Sequence, residues 1–199
     1  NIATKDFPED KKASISVSAG YNPNFHFNND YLTYEGGKTD WLGFDDGTRD
    51  IPATNNIPLF SEVVGNPDSK EGLRYREILE SFNPTMAAMK EQSFMDYSIG
   101  ATFGNQKPLK NVTMGYNVSL NYKNSTEFYE NAEYGRYGLS ADPTVYEMEV
   151  RELQSGSFGI NNVLISGLAS YAIKTANSKY SIDFLRLQNG ESKAGIFDY

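Results

Sequence analysis

Cysteine is absent from the 199 residues, which removes disulfides and thiolate metal sites. Histidine occurs once, at His26, and tryptophan once, at Trp41. A hydrolase of the Ser–His kind would have to use His26 as its base. Its neighbours are Phe25 and Phe27, and no carboxylate stands beside it to orient the ring. The chain therefore reads as a non-enzyme with no catalytic residue, His26 being a lumen-side or loop-side residue at a strand end. Basic residues are few: 18 Lys and Arg against 26 Asp and Glu give a formal charge of −8 and a pI near 4.7. That sign is wrong for nucleic acid, which needs basic patches to replace phosphate counterions. Long apolar runs are also missing, with mean hydropathy −0.55, so no segment qualifies as a transmembrane helix. Barrel strands show only alternate residues to lipid, and their hydropathy signal is weak. The opening "NIATKDFPED" has no Met, no basic leader and no apolar segment, so it is not a signal peptide. It reads as mid-chain sequence, as does the closing "ESKAGIFDY", and the expectation is a section of something longer.

What the chain does have is alternation. In "NVTMGYNVSLNY", Val112, Met114, Tyr116, Val118, Leu120 and Tyr122 share one parity; Asn111, Thr113, Gly115, Asn117, Ser119 and Asn121 share the other. Side chains of a strand alternate faces with a period of two, so this is a strand between two different environments. The same pattern recurs near 13–27, 92–103, 145–173 and 180–188, with a bulge expected across Gly156–Gly159 where the parity changes. Five strands follow, joined by two short connections (104–111 and 174–179) and two long polar ones (28–92 and 123–145). Within the first long segment "DSKEGLRYREILESFNP" reads as one short helix, with Asp68 as cap, Glu71 three residues on and Asn83-Pro84 as the stop. The strict alternation of short and long connections matches transmembrane barrels, with tight periplasmic turns and long outer loops.

A soluble β-sandwich also alternates, and it remains the competing reading. Three features favour lipid. The polar faces are Ser, Thr, Asn and Gly, with few Lys or Glu. The strands run about 10 to 12 residues, against about 5 to 6 in ordinary domains. Aromatics on the apolar parity sit near strand ends: Phe103, Tyr171 and Tyr180 by the short turns, Tyr122, Phe25 and Phe27 toward the long loops, as interfacial girdles would.

Two loop stretches carry the binding candidates. "DWLGFDDGTRD" offers Asp40, Asp45, Asp46 and Asp50, but their spacing does not match the EF-hand pattern. Turn chemistry explains them, with Arg49 pairing to a neighbouring carboxylate, and no metal or cofactor is expected. Trp41 and Phe44 anchor this segment against the wall of the fold or stack on a ligand. "EFYENAEYGRYG" supplies Phe128, Tyr129, Tyr134 and Tyr137, aromatics that either stack on sugars and peptides or pack on one another, with Arg136 among them.

"NIATKDFPE" before a Ser/Ala-rich strand, then "YLTYEGGKTDWLGFDDGTRDIP", "FMDYSIGATFGNQ", "GYNVSLNYKNSTEFYENAEYGRY" and "DFLRLQNGESKAGIF", resembles TonB-dependent outer-membrane receptors of the Bacteroidetes type. The likeness runs over nearly the whole chain, and "GGKTDWLGFDDGTR" is its most specific part. It implies a large plug-filled barrel in the outer membrane that imports a scarce ligand with energy delivered through TonB. Such barrels have about 22 strands, so the expectation is an all-β fragment: residues 1–12 end the plug or its linker, and 13–199 form the first section of the barrel. The implied partners are outer-membrane lipid, the rest of the barrel and plug, TonB through the plug region, and a ligand the residues do not identify. The isolated section is expected to self-associate through its open edges. The rival is a soluble or surface β-sheet domain that recognises glycan or protein through its long loops; a passive porin is the third possibility.

Overall fold

The computed structural model describes residues 7–84 and 87–198. Five strands form one antiparallel meander: β1 (Lys12–Gly20), β4 (Asp96–Leu109), β5 (Val112–Leu139), β6 (Met148–Lys174) and β7 (Lys179–Asp198), in the order β1-β4-β5-β6-β7. A small hairpin of β2 (Tyr31–Thr33) and β3 (Met89–Glu91) and the helices α1 (Phe60–Val64) and α2 (Lys70–Glu80) belong to the long connection between β1 and β4. The fold is thus all-β, with the edge strands, β1 and β7, that the five-strand reading expects.

The register fixes the faces. Ile99 lies opposite Val17 and Tyr122, Phe103 opposite Val118, Tyr122 opposite Ile165, and Tyr171 opposite Ile182. Directly paired residues share a face, so the apolar sets of all five strands are on one side. Among the described residues nothing roofs its lower half, the half toward the tight turns: Ile15 is 80 % exposed, Leu120 59 % and Ile182 71 %. The other face is mostly Ser, Thr, Asn and Gly from β1 to β5, with Lys12, Asp96, Gln106, Lys123 and Glu127 among them; Leu164, Leu168, Leu185 and Leu187 make it more mixed in β6 and β7.

Several expected boundaries move. The segment 123–145 is not a loop. β5 continues to Leu139 and β6 begins at Met148, leaving only 140–147 as the turn. Its polar residues sit in strand because cross-strand pairing with β6, including Arg136 opposite Glu152, satisfies the backbone whatever the side chains are. At 28 residues β5 spans roughly 90 Å. The first strand ends at Gly20, not 27. Pro23 follows, and the Asn22 carbonyl accepts the Phe25 and His26 amides, which closes a turn. Phe25 and Phe27 are therefore off the strand. The expected strand near 92–103 becomes 96–109, and the turn 104–111 contracts to Lys110-Asn111. The last strand runs to Asp198, past the expected end at 188. The bulge foreseen at Gly156–Gly159 is an extra residue in the partner strand: Asn131, φ 52°, belongs to a two-residue step of β5 opposite Ser157 alone. A second extra residue, Arg151, sits in β6 between the Arg136 and Tyr137 pairings. α2 is the expected helix, but its cap is Ser69, whose side chain accepts the Gly72 amide. α1 was not foreseen.

Candidate functional site

Above Tyr122, the stretch of the apolar-side face from Asn124 to Phe128 is roofed by the chain's own loops. Tyr31 and Leu32 of the hairpin pack on Phe128 and Ala194. Gly159 makes room for them, since a Cβ there would stand 2.2 Å from the Leu32 carbonyl oxygen. Beneath the roof the face is polar: Asn161 donates to the Asn124 side chain at 3.0 Å and to the Thr126 hydroxyl at 3.2 Å.

Where β4 stops at Asp96, β5 keeps going and would expose its edge. The turn at 22–28 seals it. Buried His26 accepts the Asn22 amide on Nδ1 at 2.9 Å, so Nε2 carries the proton and donates to Asp96 Oδ1 at 3.1 Å and the Thr126 carbonyl at 3.2 Å. Asp96 Oδ1 also accepts the Thr126 amide at 2.9 Å. An acidic partner for His26 thus exists, 70 residues away in sequence. Both ring nitrogens are committed to holding the edge, which leaves neither free to serve as a base.

The stretch 36–50 forms a strap. Asp40 Oδ2 accepts the Gly37 amide at 2.9 Å and Arg49 at 3.2 Å, and the Arg49 guanidinium lies 4.3 Å from the centre of the Tyr34 ring. Asp46 accepts the Thr48 hydroxyl, the Lys38 amide and the Thr48 amide. Those bonds, the Thr48 hydroxyl first, hold its carboxyl down at about 2. Asp45 accepts the Gly47 amide at 3.0 Å. Among the described residues no three His, Cys, Asp or Glu side chains gather as a metal site. The acidic residues act as turn formers, and Arg49 pairs with Asp40 as expected.

The strap docks on the apolar-side face. Tyr122 donates to the Trp41 carbonyl at 2.9 Å, and Gln188 donates to the Gly43 carbonyl. Gly43, φ 70°, lies against Gly190 of β7 so closely that a Cβ on Gly190 would stand 2.5 Å from the Gly43 Cα. Trp41 is 62 % exposed and Phe44 39 %. Together the strap, hairpin and sheet border an open pocket of about 370 Å³ lined by Tyr34, Asp40, Trp41, Tyr97, Tyr122 and Asn161 among others.

Tyr129, Tyr134, Arg136 and Tyr137 are strand residues rather than loop residues. Tyr129 stacks on Phe158 at 4.9 Å and meets Phe25 at 5.3 Å. Its hydroxyl donates to Glu127 at 2.7 Å, and that bond, together with the nearby negative charge, raises its pKa. Phe158 in turn stacks on Phe197, with Lys193 over its ring at 4.5 Å. This ladder of aromatics was not legible in the sequence, because Phe25, Tyr129, Phe158 and Phe197 come from four separate elements. Tyr134 and Arg136 lie opposite Gln154 and Glu152 and alternate with Tyr137. By register Tyr129 belongs to the polar face, whereas Trp41 and Phe44 ride on the other. The sheet stands between Trp41 and Phe44 on one side and Tyr129, Tyr134 and Arg136 on the other, while Tyr137 alternates to the strap's side far up β5.

At the tight-turn end the lead-in to β1 crosses the polar face. Phe7 covers Gly115, and Pro8 covers Gly104. Residues 1–6, half of the expected plug or linker segment, lie outside the described residues. No family model, curated protein or solved structure matches the chain.

Proposed function

We propose that the chain is a section of a TonB-dependent outer-membrane receptor barrel, serving ligand import across the outer membrane, with its apolar face toward lipid and its polar face toward the lumen. The observation that carries this reading is the uncovered apolar band. On β5 it runs from Val112 to Tyr122. Ten steps of about 3.4 Å give roughly 34 Å along the strand, and a tilt of about 45° reduces that to roughly 24 Å of height, close to the apolar belt of outer-membrane barrels. The total accessible surface is 14865 Å², against about 9,400 Å² expected for a folded monomer of this mass. A soluble domain standing alone would not leave so much uncovered, so the rival reading needs a partner over the same band. The lead-in at Phe7 and Pro8 supports the lumen assignment, because a plug joined to it would sit on the polar face. No helix among the described residues is long and apolar enough to cross a membrane.

The test uses the full-length receptor that carries this section, refolded in phospholipid vesicles containing a lipid with a photoactivatable group on its acyl chain. Label should fall on Ile15, Val17, Leu120 and Ile182 and avoid Ser16, Asn117 and Ser119. Label spread over both faces would overturn the reading.

A further inference from the structure

The geometry points to the strap as an interfacial anchor, with Trp41 seated at the headgroup level of the outer leaflet rather than in a ligand site. This inference rests on the barrel reading and adds a lipid contact in a segment that is not a strand. Four observations carry it. The strap lies on the lipid side of the sheet, not the lumen side, since its contacts Tyr122, Gln188 and Gly190 all belong to the apolar-side register. It sits at the edge of the band: the Trp41 carbonyl is held by the hydroxyl of Tyr122, the last residue of the apolar run on β5. A chain of rings, Phe27, Phe94, Tyr97 and Tyr122, with neighbouring centroids 5.9 to 6.0 Å apart, extends along the same boundary. Trp and Tyr, apolar in body and polar at one atom, concentrate where one end is dry and the other wet.

The fourth observation is Arg186. The register puts it on the apolar-side face, opposite Gly167 and just above Phe184. A cation there is costly unless its stem reaches the polar boundary. Its guanidinium lies 5.9 Å from the centre of the Phe44 ring, at the strap. Phe44 thus receives the head of a snorkelling arginine, and the strap marks the level at which water and headgroups begin. Trp41, most of its side chain exposed, faces that level with no protein ring stacked on it among the described residues.

Trp41 is the only tryptophan in the chain, so its own fluorescence reads its depth. The full-length receptor carrying this section, with every tryptophan outside it replaced by phenylalanine, is refolded into phosphatidylcholine vesicles whose acyl chains carry bromine either near the headgroup or near the chain end. Trp41 emission should drop roughly twofold with the shallow bromines and far less with the deep ones. A Trp41→Phe/Val118→Trp double variant reports the band itself and should show the reverse preference. Emission from Trp41 unaffected by either lipid, with the Val118→Trp reporter quenched by deep bromines, would overturn the anchor and leave the barrel reading standing. No quenching of either reporter would overturn both.

Discussion

Two adjoining stretches of β5 on one face make an instructive contrast. From Val112 to Tyr122 the side chains are apolar and open; Leu120 is 59 % exposed. From Asn124 to Phe128 the same face is largely polar and covered, with Thr126 at 4 % and the His26 and Ser93 side chains buried nearby. A protein folding in water arranges these the other way, because apolar area removed from water stabilises at about 25 cal/mol per Å² while a buried polar group needs a partner. Here the polar part is roofed, with the His26, Ser93 and Asn161 side chains hydrogen-bonded, and the apolar part is uncovered. The inversion makes sense if the uncovered stretch meets lipid.

The sharpest way to break the contrast is a charge on the band. Val118→Arg should lower folding stability in lipid by about 2–4 kcal/mol, and Asn117→Arg on the opposite face by much less. Folding titrations into vesicles measure both, and equal costs would mean the band does not face lipid.

Next comes the roof. Gly159→Val forces a side chain into the Leu32 carbonyl and should cost about 1–3 kcal/mol, as overpacking does. Amide exchange should quicken at Tyr31–Thr33 and stay slow at Val112–Tyr122. Loss of protection in both stretches together would show that they fold as one unit. His26→Ala removes the imidazole donor to Asp96 and the Thr126 carbonyl and the acceptor of the Asn22 amide, and should cost about 1–2 kcal/mol. The exposed amides of β5 next to Thr126 should then exchange first, while the band is unchanged.

The smallest effect is in the strap. Asp46 has a folded pKa of about 2, depressed from 3.8. A depressed carboxylate contributes stability that is present above the unfolded value and is lost as pH falls through the folded one. The strap should therefore loosen between about pH 4 and pH 2, read as a change in Trp41 emission, and Asp46→Asn should abolish that step. A transition of the same size in the variant would assign it to another carboxylate.

Much of the sheet was legible because alternation is a local property. Ala13 to Val17, Tyr97 to Phe103, Val112 to Tyr122, Val163 to Ile173 and Tyr180 to Phe184 each declare their face by parity alone. The strand ends were less legible. "EFYENAEYGRYG" contains charge, Gly and Asn, which read as a loop, yet it has a partner strand of equal length to pair with. The site was legible only in part: the carboxylates of the strap did behave as turn formers, whereas the docking of Trp41 and the ladder through Tyr129 depend on residues far away in sequence.

By itself, then, the sequence determined the period-two pattern, the number of long strands and the absence of thiol chemistry, since these follow from residue type and spacing. Only the tertiary structure decided which face the strap covers. That choice rests on Gly43 meeting Gly190 and on Tyr122 reaching the Trp41 carbonyl. It also decided the length of β5, because a strand persists wherever its backbone finds a ladder partner, and the partner here is β6.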